Sequence, residues 1–187
     1  MSSSLEQMYQ QVILDHAKSP HGRGFVDLSE GHLHGESHQI NPTCGDEVTM
    51  RVEFDTADPK VPTISSVSWE GQGCSISQAS LSVLTDLVTG APVAESEHLG
   101  DLFRQLMQSR GKGLDEDLED ELGDATAFTG VAQFPARIKC ALLGWAALRD
   151  TLATSGVLAG SDAPVADPAS TATPLPAQSP QAPQENR

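Results

Sequence analysis

Residues 47–54 alternate between polar and apolar side chains, and this alternation constrains the fold more than any other feature of the sequence. The apolar members, which would share one face, are Val48, Met50, Val52 and Phe54. A period of two residues is typical of an antiparallel strand with one face buried. The segment Asp58-Pro59-Lys60 predicts a turn after this strand, and residues 64–69 are its predicted partner strand.

Helices are predicted on both sides of this hairpin, where apolar residues recur at steps of three and four. The predicted ranges are 5–18, 75–89, 95–109 and 134–152. Ser19-Pro20 ends the first helix, a capping box at Ser75–Gln78 begins the second, and Pro135 suits the first turn of the last. Residues 25–40 are predicted to be extended. The acidic segment 114–124 is predicted to be a solvated loop or a frayed helix rather than a cation site.

Composition divides the chain into one domain, residues 1–155, and a disordered tail, residues 156–187, rich in proline and alanine and without apolar periodicity. The net charge of −15 disfavours binding to nucleic acid or to anionic lipids. The sequence contains neither a long apolar run nor a signal peptide at its start. We therefore expect a cytoplasmic protein that binds neither nucleic acid nor membranes.

The three cysteines lie far apart in the chain, each in a place where a thiol can be presented for chemistry. Cys44 lies in a turn before the alternating strand, Cys74 at a predicted helix start, and Cys140 in the first turns of the last helix. A helix N-terminus stabilises a thiolate, which is the form that binds metals. Three thiolates and one carboxylate would complete a tetrahedral zinc site or hold an iron–sulfur cluster. Burial as a small apolar residue is the alternative, above all for Cys140.

The sequence around each cysteine resembles a motif of the IscU/NifU-type iron–sulfur cluster assembly proteins. The three motifs are Asn41-Pro42-Thr43-Cys44-Gly45-Asp46, Gly71-Gln72-Gly73-Cys74-Ser75-Ile76-Ser77 and Phe134-Pro135-Ala136-Arg137-Ile138-Lys139-Cys140. The segment Ile13-Leu14-Asp15-His16 and the turn at residues 20–24 fit as well, so the resemblance covers about residues 5–153.

Three differences from the IscU branch resemble the zinc-containing SufU branch. Lys139 occupies the position where IscU members carry a histidine, and residues 134–138 replace the Leu-Pro-Pro-Val-Lys segment that a chaperone recognises. A long acidic insertion also separates the second and third cysteines. These differences argue against an IscU-type scaffold role and against docking of that chaperone.

The SufU resemblance implies an α+β fold, in which a small antiparallel sheet packs against several helices with the site at one end. It implies a Zn²⁺ ion as cofactor. The implied ligands are Cys44, Asp46, Cys74 and Cys140. It further implies that Cys44 accepts sulfur from a SufS-type cysteine desulfurase, once a desulfurase histidine replaces Cys44 on the zinc. The chain would then be a sulfurtransferase component that works with other SUF assembly proteins, rather than a stand-alone enzyme.

Arg137 matches a family arginine near the site, and we assign it a catalytic role, in which it holds Asp46 or stabilises thiolate charge. A surface helix arginine is the alternative interpretation. For the protein as a whole, two alternatives stay open: a scaffold that carries a transient iron–sulfur cluster, and a structural zinc domain without turnover. The resemblance gives histidines 16, 21, 32, 34 and 38 no role in binding the native metal.

Overall fold

Three antiparallel strands and five α-helices are present in residues 4–160, the part of the chain that the computed structural model describes. The elements are α1 Ser4–Lys18, β1 Leu33–Asn41, β2 Asp46–Asp55, β3 Thr63–Gln72, α2 Ser75–Val88, α3 Val93–Gln108, α4 Glu116–Leu122 and α5 Pro135–Thr154. Two 3₁₀ segments, Gly123–Gln133 and Val157–Gly160, lie on either side of α5. The predicted α+β class is confirmed.

The sheet has the order β1-β2-β3, and its inner face forms one side of the hydrophobic core. The apolar residues of β2 are at most 1 % exposed, which confirms the face predicted from their alternation. Helix α5 packs over β1 and β2, whereas α2 packs beside β3 and against α5. Helix α1 lies on α2. The sheet and the two helices that carry or directly follow a cysteine thus share one core, with α5 over the central strand and α2 beside β3.

Strand pairing brings two distant cysteines to one end of the sheet. Asn41 pairs with Asp46, so the β1–β2 connection is the short turn that contains Cys44. Gln72, at the end of β3, pairs with Glu47, at the start of β2. Since the chain continues from Gln72 into α2, Cys74 lies at the same end of the sheet as Cys44.

A close crossing of α2 and α5 brings the third cysteine to this end. A Cβ atom on Gly144 would lie 2.6 Å from Leu81 Cδ2, so a larger side chain would push the helices apart. The Ser80 hydroxyl donates a hydrogen bond to the Ala141 carbonyl (2.6 Å) and accepts one from Trp145 Nε1 (3.2 Å). These contacts fix the first turns of α5 against α2, and with them Cys140.

The structure adds three details to the predicted local structure. The capping box is wrong: Cys74 is the N-cap of α2, and the Gln78 side chain donates to the Gly73 carbonyl instead. The acidic segment forms a short helix, α4, and the 3₁₀ segment after it was not predicted. The domain boundary at residue 155 stays a prediction, and Val157, two residues beyond it, is 4 % exposed and belongs to the core.

The predicted tail lies outside the described residues from residue 161 onward. Within residues 4–160, no helix is both long and apolar enough to cross a membrane.

Candidate metal centre

The three cysteines and Asp46 meet at the end of the sheet where α2 and α5 begin. Donor atoms of Cys44, Asp46 and Cys140 all lie within 4.8 Å of one another. The Cys44 and Cys140 sulfurs are 3.2 Å apart, and the Cys74 sulfur lies 4.0 Å from Asp46 Oδ2. The structure therefore groups three of the four ligands that the resemblance implies, and the fourth, Cys74, contacts this group through Asp46.

Cys44 is presented on an exposed turn that Asn41 organises. The Asn41 carbonyl accepts hydrogen bonds from the backbone N–H of Cys44 (3.3 Å) and of Gly45 (2.9 Å). Gly45 has a φ of +73°, a left-handed conformation that glycine adopts without steric cost. The turn leaves the Cys44 thiol exposed to solvent.

Asp46 links the turn to the start of α2. Its Oδ1 atom accepts a hydrogen bond from the Cys74 N–H at 2.9 Å, and its side chain is buried. The residue before Cys74 must be small, because a Cβ atom on Gly73 would lie 2.7 Å from Asp46 Oδ1. A carboxylate from another strand thus satisfies a free N–H at the start of the helix, which is what a capping side chain normally does.

Cys140 is the buried cysteine of the group. Burial raises the pKa of its thiol, and the neighbouring Asp46, Cys44 and Cys74 side chains raise that pKa further. Its sulfur accepts a long hydrogen bond from Asn41 Nδ2 (3.7 Å) and lies 3.6 Å from the Ala136 carbonyl oxygen. Without a cation nearby, this thiol would therefore stay protonated at neutral pH.

The donor set fits a zinc ion. A tetrahedral zinc with Zn–S bonds of about 2.3 Å separates two sulfur ligands by roughly 3.8 Å, so the Cys44 and Cys140 sulfurs need to move apart only slightly. Three thiolates and a carboxylate in one place would repel one another unless a divalent cation neutralised them. The raised pKa of Cys140 is consistent with such a need.

Arg137, which was predicted to belong to the site, and Asn41, which was not, differ in what they contact. The Arg137 guanidinium lies over the Phe134 ring, 4.9 Å from its centroid, and makes no hydrogen bond to Asp46 within the described residues. Its catalytic role stays a prediction. Asn41, by contrast, contacts both the Cys44 turn and Cys140. Sequence reasoning gave Asn41 no role, although it opens the first cysteine motif.

Comparison with known proteins identifies the family to which these motifs belong. The family model described as "NifU-like N terminal domain" matches residues 8–141. The chain is 38 % identical to the "iron-sulfur cluster assembly scaffold protein IscU" of Streptococcus pyogenes serotype M1, over 82 % of this chain and 87 % of that protein. It is 36 % identical to the "zinc-dependent sulfurtransferase SufU" of Bacillus subtilis (strain 168), over 81 % of this chain and 94 % of that protein.

The fold has a solved counterpart in the same family. The crystal structure of FiSufU from the thermophile Fervidobacterium islandicum AW-1, described as an iron–sulfur cluster assembly scaffold protein for the SUF system, superposes with a TM-score of 0.64. The two sequences are 31 % identical, and the match covers 80 % of this chain and 99 % of that one.

Proposed function

The chain belongs to the family of NifU-like N-terminal domains, which includes the IscU and SufU proteins, and on this premise we propose that it accepts sulfur for iron–sulfur cluster assembly. The donor is a SufS-type cysteine desulfurase, the cofactor is Zn²⁺, and the compartment is the cytoplasm, where thiols stay reduced. The B. subtilis relative is named a zinc-dependent sulfurtransferase. The observation that carries the proposal is an exposed Cys44 thiol beside the buried Cys140 and Asp46.

The four proposed ligands have different roles, because some are buried and fixed and one is exposed on a turn. Zinc, when bound by Cys44, Asp46, Cys74 and Cys140, lowers the pKa of the thiols, so that they are deprotonated at neutral pH. Cys140 and Asp46 are buried and fixed by α5 and β2. Cys44 lies on a turn and can move away from the group without disturbing either element. The exposed thiolate is therefore the one that can meet a partner.

The transfer step is a thiol–persulfide exchange. The Cys44 thiolate attacks the outer sulfur of the persulfide on the desulfurase cysteine, and a new S–S bond forms. The S–S bond of the donor breaks, and the desulfurase cysteine leaves as a thiolate. The product is a persulfide on Cys44, and no oxidant or reductant is consumed.

Labelled sulfur from cysteine tests this assignment. We expect Cys44→Ala to abolish the transfer of label from a SufS-type desulfurase to this protein. Thr43→Ala is the matched control, because Thr43 lies in the same turn as Cys44 and contacts Asn41 through its backbone N–H. It should retain labelling on Cys44, located by mass spectrometry under non-reducing conditions. Label on Cys44→Ala protein would refute Cys44 as the acceptor.

A scaffold for an iron–sulfur cluster is the second candidate function. It is favoured by the names of the S. pyogenes and F. islandicum relatives, both of which are called scaffold proteins. The metal content of protein purified without a histidine tag distinguishes the two functions. One zinc per chain in a colourless solution supports sulfur transfer, whereas iron, sulfide and a brown colour support the scaffold.

A further inference from the structure

A second group of metal-binding side chains lies away from the cysteines, where α1 and the loop after it contact α2. Donor atoms of His16, His21 and Asp86 all lie within 4.8 Å of one another. The residues come from the last turn of α1, from the following loop and from α2. We propose that these three side chains, completed by Asp124, form a second binding site, for a divalent transition-metal ion of the Zn²⁺, Co²⁺ and Ni²⁺ class.

The two sites are separate. Cys74 caps α2, and Ser82 and Asp86 follow along the same helix. At about 1.5 Å per residue, they lie roughly 12 and 18 Å from Cys74 along the helix axis. One ion therefore cannot bind to both groups, and none of the ligands proposed here is a cysteine. The inference is independent of the proposed sulfur transfer.

His16 is the fixed member of the second group. Its side chain is 11 % exposed, and its Nδ1 atom lies 2.8 Å from the Ser82 hydroxyl oxygen. The same oxygen accepts a hydrogen bond from the His21 backbone N–H at 2.8 Å. If His16 Nδ1 carries the proton and donates it to Ser82, Nε2 is free to bind a metal. A ring nitrogen that is held in this way is typical of metal-binding histidines.

The other ring nitrogen of His16 faces a carboxylate. Nε2 lies 3.6 Å from Asp124 Oδ2, at the start of the 3₁₀ segment. Asp124 lies outside the group whose donor atoms are within 4.8 Å of one another. Its side chain is 68 % exposed, so it can move toward an ion at Nε2 without disturbing the core.

His21 and Asp86 are the adjustable members. His21 Nδ1 lies 2.7 and 2.9 Å from the two Asp86 carboxylate oxygens. A tetrahedral ion with bonds of about 2.0–2.1 Å holds two ligand atoms roughly 3.3 Å apart, so this pair must open by about half an ångström. Both side chains are about half exposed and can do so.

The chemistry of the donors selects the class of metal. Two imidazoles and two carboxylates suit Zn²⁺, Co²⁺, Ni²⁺ and Fe²⁺, whereas Mg²⁺ and Ca²⁺ prefer oxygen ligands alone. This group contains no thiolate ligand, whereas the cysteine centre does, and thiolates select softer metal ions. A probe that binds to both types of site but reports them differently can therefore identify the second one.

Co²⁺ is such a probe. Full-length protein without a tag is first loaded with one equivalent of zinc per chain, which fills the tighter cysteine centre. It is then titrated with CoCl₂, with uptake measured by calorimetry and absorption. Zn²⁺ binds more tightly than Co²⁺ to a given site, so cobalt should not displace zinc from the cysteines. We expect one Co²⁺ per chain, with visible ligand-field absorption and without a thiolate-to-cobalt charge-transfer band.

Three variants locate this ion. His21→Gln and Asp86→Asn each remove one exposed ligand and should lower cobalt affinity by at least about tenfold, since even supporting contacts contribute 10–100-fold in metal sites. The control is His98→Gln. His98 is paired with Glu121 at 2.9 Å and is exposed to a similar extent as His21, but it has no second histidine beside it. This variant should bind Co²⁺ as the unmodified protein does.

Three results would overturn the proposal. The first is zinc-loaded protein that takes up no cobalt. This result would mean that the side chains only hold the N-terminal segment against α2. The second is a charge-transfer band, which would place cobalt at the cysteines. The third is an equal loss of affinity in the His98→Gln and His21→Gln variants, which would indicate unspecific binding to surface histidines.

Discussion

The cysteine centre has a buried half and an exposed half, and the two halves differ in how freely their side chains can move. Cys140 and Asp46 are 2 % and 1 % exposed and lie within a helix and a strand. Cys44 and Cys74 are exposed and lie in a turn and at a helix N-cap. A site divided in this way can keep an ion on one side while a thiol leaves on the other. Such a division suits sulfur transfer, whereas a purely structural zinc site would enclose all of its ligands.

Removal of zinc should have the largest effect, because it leaves the buried half without a cation. Zinc binding contributes about 10–16 kcal/mol in zinc-finger peptides. The loss of only about 3 kcal/mol would lower the melting temperature of a domain of this size by roughly 6–12 °C. Calorimetry of zinc-loaded and chelator-treated protein measures the change, and zinc, but not Mg²⁺, should reverse it. An unchanged melting temperature would mean that the cysteines hold no stabilising metal.

Asn41 should contribute to the buried half through its contact with Cys140. Asn41→Ala removes the amide that donates to the Cys140 sulfur at 3.7 Å. Loss of such a supporting contact typically weakens metal binding by about 10–100-fold. The control is Thr43→Ala, in the same turn, because Thr43 contacts Asn41 through its backbone N–H. Competition with a chelator of known zinc affinity compares the two variants, and equal affinities would remove Asn41 from the site.

The two halves should also differ in thiol reactivity once the metal is removed. Iodoacetamide reacts with the thiolate, and burial together with the neighbouring acidic groups raises the pKa of Cys140. We expect Cys44 and Cys74 to be alkylated at least about tenfold faster than Cys140, since each pKa unit changes the thiolate fraction tenfold. Because the pKa shift of Cys140 is upward, its thiol should remain protected from iodoacetamide at mildly alkaline pH. Mass spectrometry of peptides over time measures the three rates. Similar rates would show that the halves are not distinct.

The exposed half could be predicted from the sequence better than the buried half. Cys44 is in a Pro-Thr-Cys-Gly-Asp turn and Cys74 is at a helix start, and both features depend on neighbouring residues. The contacts of Asp46 with Cys74 and of Asn41 with Cys140 join residues far apart in the chain. The capping box was predicted wrongly for this reason, because the group that satisfies the N–H comes from β2 and not from the helix.

The fold shows the same difference between features that depend on neighbouring residues and features that depend on distant ones. Strand β2 has a clear apolar period, and both β2 and α5 were predicted within about two residues of their ends. The 3₁₀ segment Gly123–Gln133 lacks a helical period and was not predicted, although it buries Phe128 in the core. The proximity of His16 to Asp86 depends on the packing of α1 on α2, which no local pattern encodes.

Truncation at the C-terminal end of α5 should have the smallest effect and tests how far the buried half depends on that helix as a whole. Val157 is 4 % exposed, and burial of a valine side chain contributes about 1.5–3 kcal/mol. The conformational entropy lost in ordering residues 156–160 opposes this gain, so the net effect on stability should be small. Truncation after Ser155 should therefore cost about 1 kcal/mol and lower the melting temperature by roughly 2–4 °C. Truncation after Gly160, which keeps Val157, is the control and should leave the melting temperature unchanged.

Zinc affinity should be the same in both truncated proteins, because Cys140 is several turns away and is fixed by the Ser80–Ala141 contact. A loss of zinc on truncation after Ser155 would mean that the far end of α5 positions Cys140, and the buried half would then extend along the whole helix.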